Sequence, residues 1–235
     1  MTLWVILISF ILILATGASI GVGLALSSAI VLYAIIDMPL IVVVQRMFTS
    51  VDSFSFMAVP FFMLAGAFMS AGGVTKRIVD FSMALVGALA GGLALVVAVA
   101  GMFFAALSGS SAATTAAIGS AMIDEMEKRG YPRSFAAAVV ASGGTVGIVI
   151  PPSITMVVYG SIANTSIADL FLGGFAPGIL MGLSMCLVSW VIAKKQGYKG
   201  EGQFSIMRAL RSFRECFWAL MMPVIILGGI YGGIF

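Results

Sequence analysis

The chain has 235 residues, of which 61% are hydrophobic and 9% charged, with a formal net charge of +3 and a mean hydropathy of +1.18. A soluble domain carries about a quarter charged residues, and no core of this length hides so much apolar surface from water. A soluble globular protein is excluded, and the surrounding solvent is lipid.

Charges and glycines divide the chain into elements, given that a span needs roughly 20 apolar residues. Met1 to Ile36 is uncharged and too long for one span, so Gly17, Gly21 and Gly23 predict a turn between spans at 2–17 and 22–36. Met1-Thr2-Leu3-Trp4 has no basic n-region, so the first span is expected to be retained. Asp37 to Asp52 is expected to be a loop carrying Arg46, followed by a third span from Ser53 to Ala71 kinked at Pro60. Val74–Leu89, with Lys76, Arg77 and Asp80 near its start, reads as a helix lying partly in the interface.

Two uncharged runs then carry breaks. Gly92 to Leu107 makes a helix of about 24 Å, short of the ~30 Å hydrocarbon thickness. After Ser108-Gly109-Ser110-Ser111 a second helix runs from Ala112 to Met126. A re-entrant hairpin and two ordinary spans both fit this length. Ser134 to Ala168 reads as one span unwound near 147–153, because Pro151 and Pro152 donate no backbone hydrogen bond and disfavour helix before them. Leu170 to Ala193 is a clean span. Lys194 to Glu215 is expected to be a basic loop, part helical over Met207–Arg214, and Phe217 to Phe235 begins another span containing Pro223. Placing Lys76-Arg77, Lys128-Arg129-Arg133 and the basic residues from Lys194 to Arg214 in the cytoplasm leaves only Arg46 outside, as the positive-inside rule expects. The N-terminus then lies outside.

The breaks are where chemistry is expected. Backbone exposed to hydrocarbon costs several kcal/mol per unsatisfied group, so it persists only against protein or a wet cavity, and broken helices near the midplane recur where transporters bind ions and solutes. The helix ending near Leu107 offers carbonyls and partial negative charge to a cation. The helix starting near Ser111 offers N–H groups and partial positive charge to a carboxylate. Carbonyls around Gly147–Ile150 lose their helical partners to Pro151 and Pro152, and Ser108 and Ser110 add oxygens. Thr114 and Thr115, one turn into the returning helix, either hydrogen-bond a solute or bond back within their own helix. Asp169 is expected to be a solvated cap.

Enzymatic chemistry has no foothold. His is absent, which removes the commonest general base and metal ligand. Cys186 and Cys216 are isolated in apolar sequence and form neither a disulfide framework nor a zinc site. There is no nucleophilic triad, paired membrane carboxylates or phosphate loop, and no cofactor is expected. No ring of charge or repeated filter suggests a channel.

The run from Leu107 to Gly119 resembles the first hairpin of the large membrane subunit of tripartite ATP-independent periplasmic (TRAP) transporters. Lys128-Arg129-Gly130-Tyr131, Gly147-Ile148-Val149-Ile150-Pro151-Pro152-Ser153, Tyr159-Gly160 with Ala163-Asn164, and Val59-Pro60-Phe61-Phe62-Met63-Leu64-Ala65-Gly66 are similar to the same family, in order, over essentially the whole chain. The resemblance implies an all-α polytopic membrane protein of the bacterial inner membrane, the first half of an inverted-repeat elevator transporter. Residues 1–91 would be scaffold spans and an interfacial arm helix. Residues 92–193 would be half of a transport domain, with hairpin 92–127, broken span 134–168 and span 170–193. Residues 194–235 would be a cytoplasmic basic arm and the start of the next span.

The implied activity is sodium-driven uptake of an organic anion, such as a C4-dicarboxylate or sialic acid, delivered by a periplasmic solute-binding protein and assisted by a small membrane subunit. Sodium is the coupling ion, with oxygens from Ser108, Ser110, Gly147, Ile150 and Pro152. Ser111, Thr114 and Thr115 are candidates for the solute. The chain stops at Gly232-Gly233-Ile234-Phe235, where the resemblance places the start of a second half, either continuing the chain or separate from it; alone it is not expected to transport. Two alternatives remain at this level: another divalent-anion/sodium elevator symporter without a binding protein, and an inactive fragment or membrane scaffold.

Overall fold

The computed structural model describes residues 2–52, 54–200 and 203–234. Their regular structure is helical, as expected where the backbone must satisfy its own hydrogen bonds in lipid. The chain divides into two compact units, Met1–Phe54 and Ser55–Phe235.

In the first unit, α1 (Thr2–Ala15) and α2 (Ile20–Ala34) pack side by side after a short turn. Gly23, Ser27 and Val31 form the buried stripe of α2, spaced at i, i+4 and i+8 as one helix face requires. The absent side chain at Gly23 admits the Phe10 ring, which a Cβ there would approach to 3.1 Å. The expected loop from Asp37 to Asp52 is instead largely helical: α3 spans Ile41–Val51. Cutting the sequence at each charge hides this helix, because Arg46 sits on an exposed helical face where its charge reaches the surroundings.

The second unit begins with α4, which runs to Ala71 through Pro60. It continues with α5 (Val74–Val86), α6 (Gly92–Ser108), α7 (Ser111–Lys128), α8 (Arg133–Thr145), a single 3-10 turn at Val146–Ile148, α9 (Ile154–Ala163), α10 (Ile167–Lys195) and α11 (Ile206–Tyr231). At its centre stands α6, whose residues are almost all buried because α5, α7, α8 and α10 surround it. Leu93, Val96, Val97 and Phe104 meet Ile118 and Met122 of α7 and Val140 of α8 in one core. A helix apolar all round belongs either in such a core or against lipid, and α6 takes the first place. The outer surface, in contrast, exposes large apolar side chains such as Leu180, Leu183, Leu187 and Ile225.

α6 and α7 pack on each other as a hairpin turning at Gly109-Ser110. α8, the 3-10 turn and α9 form the interrupted helix. α11 contains the expected Met207–Arg214 helix but departs from the sequence reading in running without a break into the apolar span after it. No Gly or Pro falls between Ile206 and Met222 to stop it, and arginines are good helix formers. Asp169 lies in the first turn of α10, where Ser166 accepts a hydrogen bond from its backbone N–H, a favourable place for negative charge.

One end of this unit is fastened by aromatic side chains. The rings of Tyr131, in the α7–α8 turn, and Tyr198, after α10, stack at 4.0 Å, and the Tyr198 carbonyl accepts from Gly91 N–H at 3.0 Å. This gathers Lys128, Arg129 and Arg133 with Lys194 and Lys195 at the end where α6 starts. From that end, α6 extends about 25 Å to the hairpin tip and α8 about 20 Å to the break. α9 continues for a further ~15 Å. Both interruptions therefore lie about 20–25 Å along their helices from that end.

Candidate functional site

The two interruptions are joined by backbone. Ile154 N–H donates to the Gly109 carbonyl at 3.1 Å. Gly109 turns the hairpin with φ of +59°, and a Cβ on it would stand 2.8 Å from the Pro152 carbonyl oxygen. Only glycine suits both conditions. On the other side of the tip, Gly147 packs so closely that a Cβ would lie 2.9 Å from the Ser110 carbonyl oxygen and 3.0 Å from Thr114 Oγ1.

Each interruption ends in a serine that starts the next helix. Ser110, with φ −135° and ψ 125°, accepts from Ala113 N–H at 3.4 Å. Ser153, with φ −126° and ψ 127°, accepts from Met156 N–H at 3.4 Å. These are N-cap geometries. The Gly109–Ile154 bond thus brings the N-termini of α7 and α9 to the same place, with both partial positive charges beside it.

The oxygens have unequal prior commitments. Ser108 Oγ lies 2.9 Å from Thr114 Oγ1 and 3.3 Å from the Ser110 carbonyl, to which Thr114 Oγ1 also donates at 2.8 Å. Ser153 Oγ donates to the Ile148 carbonyl at 2.8 Å. Among the described residues, the carbonyls of Gly147, Ile150, Pro151 and Pro152 accept no hydrogen bond. The peptide joining Pro151 to Pro152 is cis. Ser108, Thr114, Gly147, Ile150, Pro151, Pro152 and Ser153 are buried, Ser110 and Ser111 half-buried. An ionised side chain is missing from this set.

All five positions assigned to sodium therefore fall in the two joined interruptions. Of the three assigned to the solute, Ser111 is the first residue of α7, and Thr114 faces Ser108 and Ser110 through the i−4 bond available to a helical threonine. Thr115 instead abuts Gly144 of α8. An open cleft of about 390 Å3 lies between α4 and the hairpin, bordered by Gly66, Ser70, Ser108, Ser110, Ala113 and Ser120 among others. It is mostly apolar with hydroxyls at its edge; Ser111, Thr114 and Thr115 do not line it.

Sequence reasoning misses three participants. Ser153 has a usable signal, a serine after two prolines at the start of an apolar helical run. Gly174 and Gly178 of α10 have a weaker one, their four-residue spacing. They let the break lie against α10, and a Cβ on Gly178 would come within 3.3 Å of the Ile150 backbone nitrogen and Cα.

All-helical, apolar over its outer face and interrupted in mid-helix, the chain is a multi-pass membrane protein. Residues 7–235 match the family described as the tripartite ATP-independent periplasmic transporter, DctM component. Similar proteins include the isethionate TRAP transporter permease protein DctMQ of Oleidesulfovibrio alaskensis, 48% identical over 96% of this chain and 36% of the relative. The C4-dicarboxylate TRAP transporter large permease protein DctM of Vibrio cholerae is 46% identical over 96% of this chain and 51% of the relative. The sialic acid TRAP transporter permease protein SiaT of Haemophilus influenzae is 39% identical over 81% of this chain and 31% of the relative. The chain belongs to the DctM family of TRAP transporter large permeases, which are not enzymes. It spans about half or less of the length of these relatives and corresponds to their N-terminal part.

Proposed function

We propose that this chain is the first half of a permease that takes up an organic anion, a dicarboxylate, sialic acid or similar carboxylate, using a sodium gradient. The observation that carries the reading is the Ile154–Gly109 hydrogen bond, which joins two interruptions at a place rich in uncommitted carbonyl oxygens. A hard monovalent cation suits oxygen ligands of this kind. Ser108, Ser110, Gly147, Ile150 and Pro152 are the assigned donors. With the cation present, both interruptions are held in register, and the paired N-termini of α7 and α9 favour a carboxylate next to it. The solute's body occupies the cleft between α4 and the hairpin, with its acid group toward Ser110, the N-cap of α7 that borders the cleft.

The anion is delivered by a periplasmic binding protein, and a small membrane subunit completes the assembly. These partners follow from the family's name and from the names of the relatives. Residues 92–193 move against residues 1–91 as an elevator, with the basic end in the cytoplasm and the protein in the inner membrane. The second half, absent from this chain, supplies the opposing part of the site.

The test is uptake into proteoliposomes by the complete permease with its soluble partner. An inward sodium gradient should drive accumulation of the anion, and Ser110→Ala should raise the sodium concentration needed for half-maximal uptake without weakening binding of the soluble partner. Accumulation that proceeds equally without sodium overturns the coupling, and accumulation that needs no soluble protein overturns delivery.

A further inference from the structure

We propose that the first turns of α11 form a binding site for an anionic phospholipid, with the headgroup held by Arg208, Arg211 and Arg214 and an acyl chain passing Trp218. α11 has 26 residues, a length of about 39 Å against ~30 Å of hydrocarbon. Its basic start therefore reaches beyond the apolar layer to the level of the phosphates. Lys194 Nζ, 4.8 Å above the Trp190 ring, marks a similar level at the end of α10, since interfacial tryptophans and lysines concentrate there.

Three flanks of the helix have separate surroundings. Ala209, Ser212 and Cys216 turn inward, and α11 packs along α5. Ile206 and Leu210 are exposed and apolar, and Phe213, partly exposed, has its ring 5.9 Å from that of Phe81. Arg208, Arg211 and Arg214 follow at three-residue intervals along the remaining flank, all exposed. Trp218, 79% exposed, is four residues beyond Arg214 and seven beyond Arg211, hence on the same flank and deeper.

Charge complementarity selects the occupant. Between positions 194 and 215 there are six basic and two acidic residues. Arg211 Nε reaches Glu215 Oε1 at 3.3 Å, with both side chains largely exposed, so that pair is weak. Arg208 and Arg214 have no ion pair among the described residues. Asp80 of α5 borders the same cleft as Arg208 and Arg211 and leaves the flank net positive. An occupant must offer acid at the arginines and hydrocarbon beside Trp218, and an anionic phospholipid has that chemistry.

The experiment uses the complete permease in phosphatidylcholine vesicles containing a fixed minor fraction of brominated phosphatidylglycerol or brominated phosphatidylcholine. The Trp218 signal is taken as the difference from Trp218→Phe. The expected result is selective quenching by phosphatidylglycerol, with each arginine worth about fivefold in preference, the equivalent of about 1 kcal/mol per basic residue at an anionic surface. R208Q/R211Q/R214Q should lose that preference and R208K/R211K/R214K should keep most of it. Equal quenching by the two lipids overturns the site, as does preference persisting in the glutamine variant. Preference abolished by millimolar inorganic phosphate shows a free-anion site instead. No quenching by either lipid shows a flank covered by protein. Each of these outcomes defeats the proposal.

Discussion

Ile154 N–H points at the Gly109 carbonyl oxygen from 3.1 Å, although 45 positions separate the two residues in sequence. Each group lies at an interruption that denies it an ordinary helical partner. The hairpin tip and the broken helix therefore satisfy part of each other's backbone, and the tip position depends on the break being formed.

Gly109→Ala should separate them. An L-residue in the left-handed region costs about 1–2 kcal/mol, and the new Cβ would also press on Pro152 O and Ile154 N at 2.8 and 3.1 Å. Hydrogen exchange at the Ile154 amide should accelerate by about tenfold or more, since 1.4 kcal/mol is a factor of ten. An unchanged exchange rate in a folded variant would remove the bond from the account.

The packing of the break on α10 gives a second contrast. A Cβ at Gly178 would meet Ile150 Cγ1 at 2.7 Å as well as its backbone, whereas one at Gly173 meets nothing within 4 Å. Gly178→Ala should lower thermal stability by about 1–3 kcal/mol through overpacking and weaken the sodium dependence of uptake in the complete permease. Gly173→Ala should be neutral or stabilising by up to about 1 kcal/mol, because alanine is the better helix former. Equal effects of the two substitutions would mean that the Ile150–α10 contact does not restrain the break.

Much of this architecture is readable in the residues, and the failures have physical causes. The sequence places the hairpin helices at Gly92–Leu107 and Ala112–Met126, and they run Gly92–Ser108 and Ser111–Lys128, because Ser-Gly-Ser-Ser is a strong stop-and-restart signal. α3 escapes a reading that takes charge as a helix boundary, and so does the continuity of the expected Met207–Arg214 helix with the apolar span after it, because charge on an exposed face does not end a helix. That the tip meets the break depends on tertiary packing, which neither composition nor periodicity encodes. Gly174 and Gly178 escape notice for a related reason: a helical glycine reads the same whether lipid or backbone lies against it.

Ser153 offers a local test. Its hydroxyl caps α9 and donates to the Ile148 carbonyl, so Ser153→Ala removes a cap worth about 1 kcal/mol and leaves that carbonyl without its donor. Exchange of the first α9 amides, from Ile154 to Val157, should rise several-fold, while Ser153→Thr should stay near the parent. Protection that survives Ser153→Ala would show α9 to be held by packing alone.

Thr114 provides a test that separates the proposed cation site from the proposed solute site. Its hydroxyl joins Ser108 Oγ to the Ser110 carbonyl, and the side chain is fully buried. Thr114→Val keeps the shape and removes both hydrogen bonds, leaving buried oxygens short of partners at about 1–3 kcal/mol. In the complete permease, half-maximal sodium for uptake should therefore rise about tenfold or more, with Thr114→Ser restoring most of the loss. If Thr114 touches the solute directly, the half-maximal anion concentration at saturating sodium should rise as well. A change confined to the anion, with sodium dependence intact, would move Thr114 out of the cation network and into the solute pocket.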